Sequence, residues 1–165
     1  MVFTGYYEHS IDEKNRLAIP AKFRGRMDRE RDGAGFFIAP GQPESTLWLY
    51  TERQFEEIAT DQRKSSFTPR EEILRWEQLF FTLAEYIEPD TQGRIVIPPR
   101  MLARAGLGRE VVICGVRDHL EIRRKDEFEK GLDESWTKYH ECLSRVREAE
   151  RQDVRPTDLH DRWKT

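Results

Sequence analysis

"DEKNRLAIPAKFR", Asp12 to Arg24, returns 78 positions later as "DTQGRIVIPPRML", Asp90 to Leu102. Asp12 aligns with Asp90, Arg16 with Arg94, Ile19 with Ile97 and Pro20 with Pro98. An internal repeat of this kind constrains the fold before any single element does. Further out, "FFIA" (Phe36 to Ala39) parallels "VVIC" (Val111 to Cys114). "LWLYTERQFEE" (Leu47 to Glu57) then parallels "LEIRRKDEFEK" (Leu120 to Lys130). The offset shrinks from 78 to 75 to 73, so the copies differ in loop length and share a plan.

Each copy, of about 50 residues, reads as a small α+β unit. Tyr7, His9 and Ile11 alternate with polar residues, as do Leu17 and Ile19, and Ile95 and Ile97 in the second copy, a period of two that predicts half-buried strands. Between the strands the turn carries Asn15 in one copy and Gly93 in the other, residue types that tolerate positive φ. Pro20 and Pro98 end the pairing because proline has no N–H to give a ladder. Pro99 then opens a helix through "RMLARAGL", closed at Gly108. The first copy has the more charged "AKFRGRMDRERDG" there, where Arg26, Arg29 and Arg31 interleave with Asp28, Glu30 and Asp32 as a self-neutralised surface segment. Two further apolar strands and a short helix complete each copy, with Phe55 and Ile58, or Phe128 and Leu132, on the helix's buried face.

Two longer helices follow the copies. "TPRE" sets Thr68 as N-cap, Pro69 at N1 and Glu71 at N3, a capping box, and the stripe Ile73, Trp76, Leu79, Phe80 and Leu83 follows. The other helix spans about Asp133 to Arg151, with Trp136, Tyr139, Leu143 and Val146 along one side. Thr60 to Ser66 reads as a joining loop, and the tail from Gln152 is charged and broken by proline. A unit of four short strands and one helix cannot cover both faces of its own sheet. The two copies are therefore expected to pack about a pseudo-twofold axis as one interleaved β-core, with the aromatic helix faces left for neighbouring copies of the chain.

The 165 residues suit one sizeable domain or two small ones sharing a core. The chain is 37% hydrophobic and 36% charged, with no run of the roughly 18 apolar residues a membrane span needs and no signal-peptide pattern at "MVFTGYYEHS". It reads as a soluble cytoplasmic protein. Cys114 and Cys142 are the only cysteines and read as buried, inert thiols rather than a disulfide or a zinc site. Net charge is −3, which argues against a bulk polyanion binder. Yet Asp12 to Asp32 holds seven Lys/Arg against five Asp/Glu, and Asp90 to Arg109 holds four Arg against one Asp. Positive charge is thus segregated onto the repeated segment.

The repeated pattern has two chemical readings. In one, Asp12 and Asp90 accept nearby backbone N–H groups and pair with Arg16 and Arg94, and the motif is a turn and nothing more. In the other, an arginine just past a tight turn stands off the sheet edge, where its donor fork suits phosphates and the O6/N7 edge of guanine. Lys14, Arg16 and Arg94 are the foremost candidates for a basic strip; Lys22, Arg24 and Arg100 fit it too, and fit equally as solvated helix residues. His9, His119, His140 and His160 are scattered, and "GLGRE" lacks the spacing and lysine of a phosphate loop, so no catalytic constellation is legible. No enzyme, cofactor, metal or small-molecule substrate is expected.

With "YYEHSIDEKNRLAIPAKFR" and "DTQGRIVIPPRML" at this separation, each followed by matching strand, strand and helix, the chain resembles the bacterial MraZ family nearly to Arg151. The resemblance implies two tandem SpoVT/AbrB-like, swapped-hairpin units, residues 5–58 and 84–132, packed as a pseudo-twofold β-barrel core with peripheral helices. Residues 59–83 then form a connecting loop and helix, 133–151 a C-terminal helix and 152–165 a charged tail. It implies a transcriptional regulator associated with the nucleoid. Such a regulator binds short direct repeats of double-stranded promoter DNA ahead of its own cell-division and cell-wall gene cluster, as a ring of eight or more subunits. The family's D-x-x-x-R motifs carry the DNA contact, which maps onto Asp12 to Arg16, with Lys14 and Asn15, and onto Asp90 to Arg94. The sequence departs in having Asn15 where the family has glycine, and Gln92 stands where the first copy has Lys14. An AbrB-like antitoxin, a protein-interaction module of the same fold class, is the alternative. Such modules pair one short domain with a flexible tail, whereas this chain has two units, longer helices and a short tail.

Overall fold

The computed structural model describes residues 1–60 and 70–153. The first copy runs β1 (Phe3–Ser10), β2 (Arg16–Ala18), α1 (Ala21–Arg24), α2 (Arg29–Asp32), β3 (Phe36–Pro40), β4 (Thr46–Thr51) and α3 (Glu52–Thr60). After α4 (Arg70–Leu83), the second runs β5 (Glu85–Ile87), β6 (Arg94–Val96), α5 (Pro99–Ala105), β7 (Glu110–Arg117), β8 (His119–Arg124) and α6 (Lys125–Thr137). The last described element is α7 (Tyr139–Asp153). Thr68 and Pro69 of the expected capping box, most of the joining loop and the tail beyond 153 lie outside the described residues.

The copies interleave strand by strand. A six-stranded antiparallel sheet has the order β1-β7-β8-β4-β3-β5, and β2 pairs with β6 in a separate ribbon. The first strand of each copy thus pairs with the third strand of the other, β1 with β7 and β5 with β3. The fourth strands, β4 and β8, meet in the middle. Exchanging the copies reverses the strand order and leaves it otherwise unchanged. The expected closed barrel is not what forms: the described strands make an open sheet and a ribbon. The ribbon strands are three residues each and run out into Pro20 and Pro98, which offer no N–H with which to extend pairing towards the sheet edges.

Period-two alternation sends side chains to two different cores. Phe36, Ile38, Leu47, Leu49, Val111, Ile113, Leu120 and Ile122 pack with Leu17, Ile19, Ile95 and Ile97 from the ribbon strands and their ends. Ala39 and Tyr50, with Phe37 and Trp48, join Phe55 and Phe80 in a second cluster. Two covered faces explain why "FFIA" and "LWLY" are apolar almost throughout. Each fully buried aliphatic side chain contributes roughly 1.5–3 kcal/mol, so the ribbon is held chiefly by its inner residues.

Several local readings shift. α5 starts at Pro99 but ends at Gly106, at φ 59°, whose N–H reaches the carbonyls of Ala103 and Leu102; the helix stops two residues before Gly108, at the first glycine free to go left-handed. Asp28 caps α2, and Asp32 is buried, accepting from the Arg31 guanidinium at 2.7 Å and the Asp28 N–H at 2.9 Å. On α4 only Phe80 is buried; Trp76 stacks on it at 5.1 Å between centroids but is exposed, as is Leu79.

The fold divides into two compact units, Met1–Asp126, which holds both sheets, and Glu127–Thr165. α6 begins at Lys125, before that boundary, and runs unbroken past Asp133 to Thr137, so the longer helix begins at Tyr139 and not Asp133. Trp136 and Tyr139 stack at 6.3 Å between centroids across this break and stand exposed with Val146. Both cysteines are free; Cys114 is buried, its thiol pushed up to about 12 by burial, but Cys142 is exposed, contrary to the sequence reading. Among the described residues no helix is long and apolar enough to cross a membrane.

Candidate nucleic-acid interface

The first turn is built around one carboxylate. Asp12 Oδ1 accepts the backbone N–H groups of Lys14 and Arg16, each at 2.9 Å, and Oδ2 accepts Arg16 Nε at 2.7 Å. The backbone closes the same loop, Asn15 N–H to Asp12 carbonyl and Asp12 N–H to Arg16 carbonyl. The Arg16 N–H foremost, with its guanidinium and the Lys14 N–H, holds the Asp12 carboxyl below its usual value. Asn15 takes φ 58°, the left-handed region its short polar side chain tolerates.

The second turn repeats this construction and adds one guanidinium contact. Asp90 Oδ1 accepts the N–H groups of Gln92 and Arg94 at 2.9 Å, and Oδ2 accepts Arg94 Nε at 2.8 Å and Nη2 at 2.7 Å. Gly93 takes φ 76°. The Arg94 guanidinium foremost lowers the Asp90 pKa. The turn reading of the motif is therefore physically real in both copies, and it leaves both arginines half-buried rather than enclosed. Arg16 and Arg94 side chains remain 32% and 31% accessible.

Strand register then unites them. Arg16 faces Val96, Leu17 faces Ile95 and Ala18 faces Arg94 across the ribbon. Leu17 and Ile95 are fully buried, so alternation directs Arg16, Ala18, Arg94 and Val96 to the opposite, solvent face. The two guanidinium groups occupy one face of one ribbon, on a diagonal. Each turn is also tied to the other copy: the Asn15 carbonyl accepts the Ile97 N–H, and the Gly93 carbonyl the Ile19 N–H, both at 2.9 Å.

The remaining candidates are less alike. Lys14 is exposed in the turn. Lys22 sits 5.9 Å from the centre of the Tyr7 ring, a cation over an aromatic face. Arg24 gives its Nε to the Ile19 carbonyl at 3.1 Å. Arg100 Nε pairs with Glu85 at 2.7 Å, an acid that partly neutralises it. Pro20 and Pro98 are the N-cap residues of α1 and α5, fixing where each helix leaves the ribbon. Arg109 joins the site from outside the repeated motif: its carbonyl accepts the Ile11 N–H at 2.8 Å and its guanidinium lies 3.7 Å from Glu13, beside the first turn. Only the end of β1 against β7 brings it there, so no local pattern signals it.

The sheet has its own charged knot, away from this face. His119 lies beside Asp118, at 2.8 Å, and Glu121, at 3.5 Å, with its ring 4.9 Å from Trp48 and 5.2 Å from Tyr50. Burial works to lower the His119 pKa, but the two carboxylates outweigh it and the value is raised.

The family described as "MraZ protein, putative antitoxin-like" matches residues 2–75 and 80–152, one match for each copy. A protein of Syntrophomonas wolfei named "Transcriptional regulator MraZ" is 34% identical over 140 residues, 85% of this chain and 87% of its own length. Similarly named proteins of Alkaliphilus metalliredigens and Moorella thermoacetica are 33% identical over 147 residues and 35% over 145. These alignments cover 89% and 88% of this chain and 98% and 96% of the relatives.

Proposed function

This chain belongs to the MraZ family, whose matched relatives are named transcriptional regulators, and we propose that it grips double-stranded DNA with the outer face of the β2–β6 ribbon. The observation that carries this reading is the placing of Arg16 and Arg94 on one exposed face, each oriented by an aspartate of its own turn. An arginine pre-oriented by a carboxylate has less rotamer freedom to lose on meeting a phosphate or a guanine edge. Lys14 adds an unoriented charge beside Arg16. Asn15 and Gly93 supply the left-handed backbone that lets the turns close.

One chain offers roughly two to four phosphate contacts in this way, which gives weak, salt-sensitive binding. A ring-shaped homo-oligomer of eight or more subunits would present the ribbon repeatedly to short direct repeats in the chain's own promoter. That adds 10²-fold or more through effective concentration, on the order seen for linked sites. The exposed apolar residues Trp76 and Leu79 on α4, and Trp136, Tyr139 and Val146 on α6 and α7, support association between copies. The gene target we infer is the cell-division and cell-wall cluster downstream of that promoter, with the protein held at the nucleoid. The two tandem units act as swapped-hairpin partners inside each chain. This is regulation by binding, not catalysis.

The test is Arg16→Ala, assayed by fluorescence anisotropy on a duplex from the region upstream of the gene, with assembly followed by light scattering. Binding should be lost while mass and melting temperature hold. Unchanged affinity removes Arg16 from the interface. The family's antitoxin-like description supports a second reading, a protein-binding module. A small partner co-purifying stoichiometrically from the host, with no DNA affinity, would favour it.

A further inference from the structure

The two turns differ by one cation: the first holds Lys14, the second Gln92 at the same place. We propose that Arg24, from the first copy, supplies the missing charge to the second turn, so that the second DNA-contacting cluster is built from both copies. This rests on the reading of the ribbon's outer face given above.

Three observations carry it. The Arg24 guanidinium lies against the backbone of Gly93: a Cβ placed on that glycine would fall 2.5 Å from both Cζ and Nε of Arg24. The side chain is also anchored there. Its Nε donates to the Ile19 carbonyl at 3.1 Å, and the Ile19 N–H donates in turn to the Gly93 carbonyl at 2.9 Å. Finally, the charge of Arg24 is not spent elsewhere. Lys22 lies over Tyr7 and Arg100 pairs with Glu85, whereas Arg24 has no carboxylate partner among the described residues.

The comparison with the first turn completes the pattern. The repeat aligns Arg24 with Leu102. Leu102 and Asn15 both line an open cleft of about 230 Å³ beside the first turn, together with Arg109, so the position equivalent to Arg24 is apolar there. The first turn therefore combines Lys14 with Leu102, and the second Gln92 with Arg24. Arg109 also stands at the first turn, but its guanidinium lies 3.7 Å from the Glu13 carboxylate. Setting it aside as ion-paired, each turn has one further cation beside its motif arginine, Lys14 at the first and Arg24 at the second, as contacts to adjacent phosphates of one strand call for. Duplication copied the turn; the second cation came to reside on different elements.

Arg24→Gln is the decisive variant, since glutamine Nε2 can take the place of arginine Nε on the Ile19 carbonyl while the charge is removed. On a fluorescein-labelled duplex from the upstream region, it should bind roughly tenfold more weakly. The slope of log affinity against log salt should become shallower by about 0.9 for each phosphate no longer neutralised. Adding Gln92→Lys to that variant should restore both quantities. Parent-like binding by Arg24→Gln overturns the proposal, and so does a weakening that Gln92→Lys fails to restore. In the unaltered protein, phenylglyoxal modification of Arg24 read by peptide mass should be suppressed by the duplex; modification at the free-protein rate counts against the proposal. Arg16→Ala and Arg94→Ala run alongside: if both bind like the parent, it is the ribbon reading itself that fails.

Discussion

The turn at Asp12–Arg16 and the turn at Asp90–Arg94 share every backbone hydrogen bond and differ in nearly every side chain that is not Asp or Arg. One has Lys14 and Asn15, the other Gln92 and Gly93. Arg16 gives its aspartate one nitrogen; Arg94 gives two. The shared part is what ribbon pairing demands, because each turn's carbonyl receives an N–H from the other copy. The divergent part is charge and conformational freedom, which pairing leaves unconstrained. Geometry is held twice, and charge is distributed between the copies.

The largest effects should fall where the copies are most alike. Leu17 and Ile95 face each other across the ribbon and are both fully buried. Truncating either to alanine should cost about 2–5 kcal/mol in urea unfolding, and the two costs should be similar. A severe loss at one and a mild one at the other would break the equivalence of the copies.

Next come the left-handed residues. Gly93→Ala should destabilise by roughly 1–2 kcal/mol, because a side chain at φ 76° is strained and must also displace the Arg24 guanidinium. Asn15→Gly should be near neutral or slightly stabilising, since asparagine already bears that strain. Thermal melts of the two variants compare them directly.

The acid limb of stability gives a smaller effect. Both turn carboxyls have pKa values below the ordinary 3.8 in the folded chain. The unfolded chain therefore binds more protons in acid, so their contribution is complete above pH 3.8 and is lost as pH falls through the lower folded values. In an Asp12→Asn, Asp90→Asn double variant, melting temperature should fall less steeply below that pH than in the parent. Smallest of all, Val96→Ala on the outer face should change stability by no more than about 0.5 kcal/mol. A larger cost would mean that this face is covered in the protein by itself.

What the sequence made legible was local. The turns announced themselves through Asp, the left-handed Asn15 or Gly93 and the following β-alternation, and Pro99 through its fitness for a first helical turn. The pairing of first strands with third strands was foreseeable only as an interleaved core, because no residue encodes a partner as distant along the chain as Arg117 is from Phe3. Barrel closure failed for a local reason, the brevity of β2 and β6 between their turns and prolines. Asp32 read as surface charge because an alternating run looks solvated whichever members turn inward. At the candidate site, alignment even pointed away from Arg24, since its repeat equivalent is the apolar Leu102; only the fold brings Arg24 to Gly93.

A structure of the assembled protein on a duplex from its upstream region addresses the central claim most directly. The outer face of the β2–β6 ribbon should lie on the DNA, with Arg16 and Arg94 at about 3 Å from phosphate oxygens or guanine edges. DNA seated on another surface, with both guanidinium groups still turned to solvent, would contradict it.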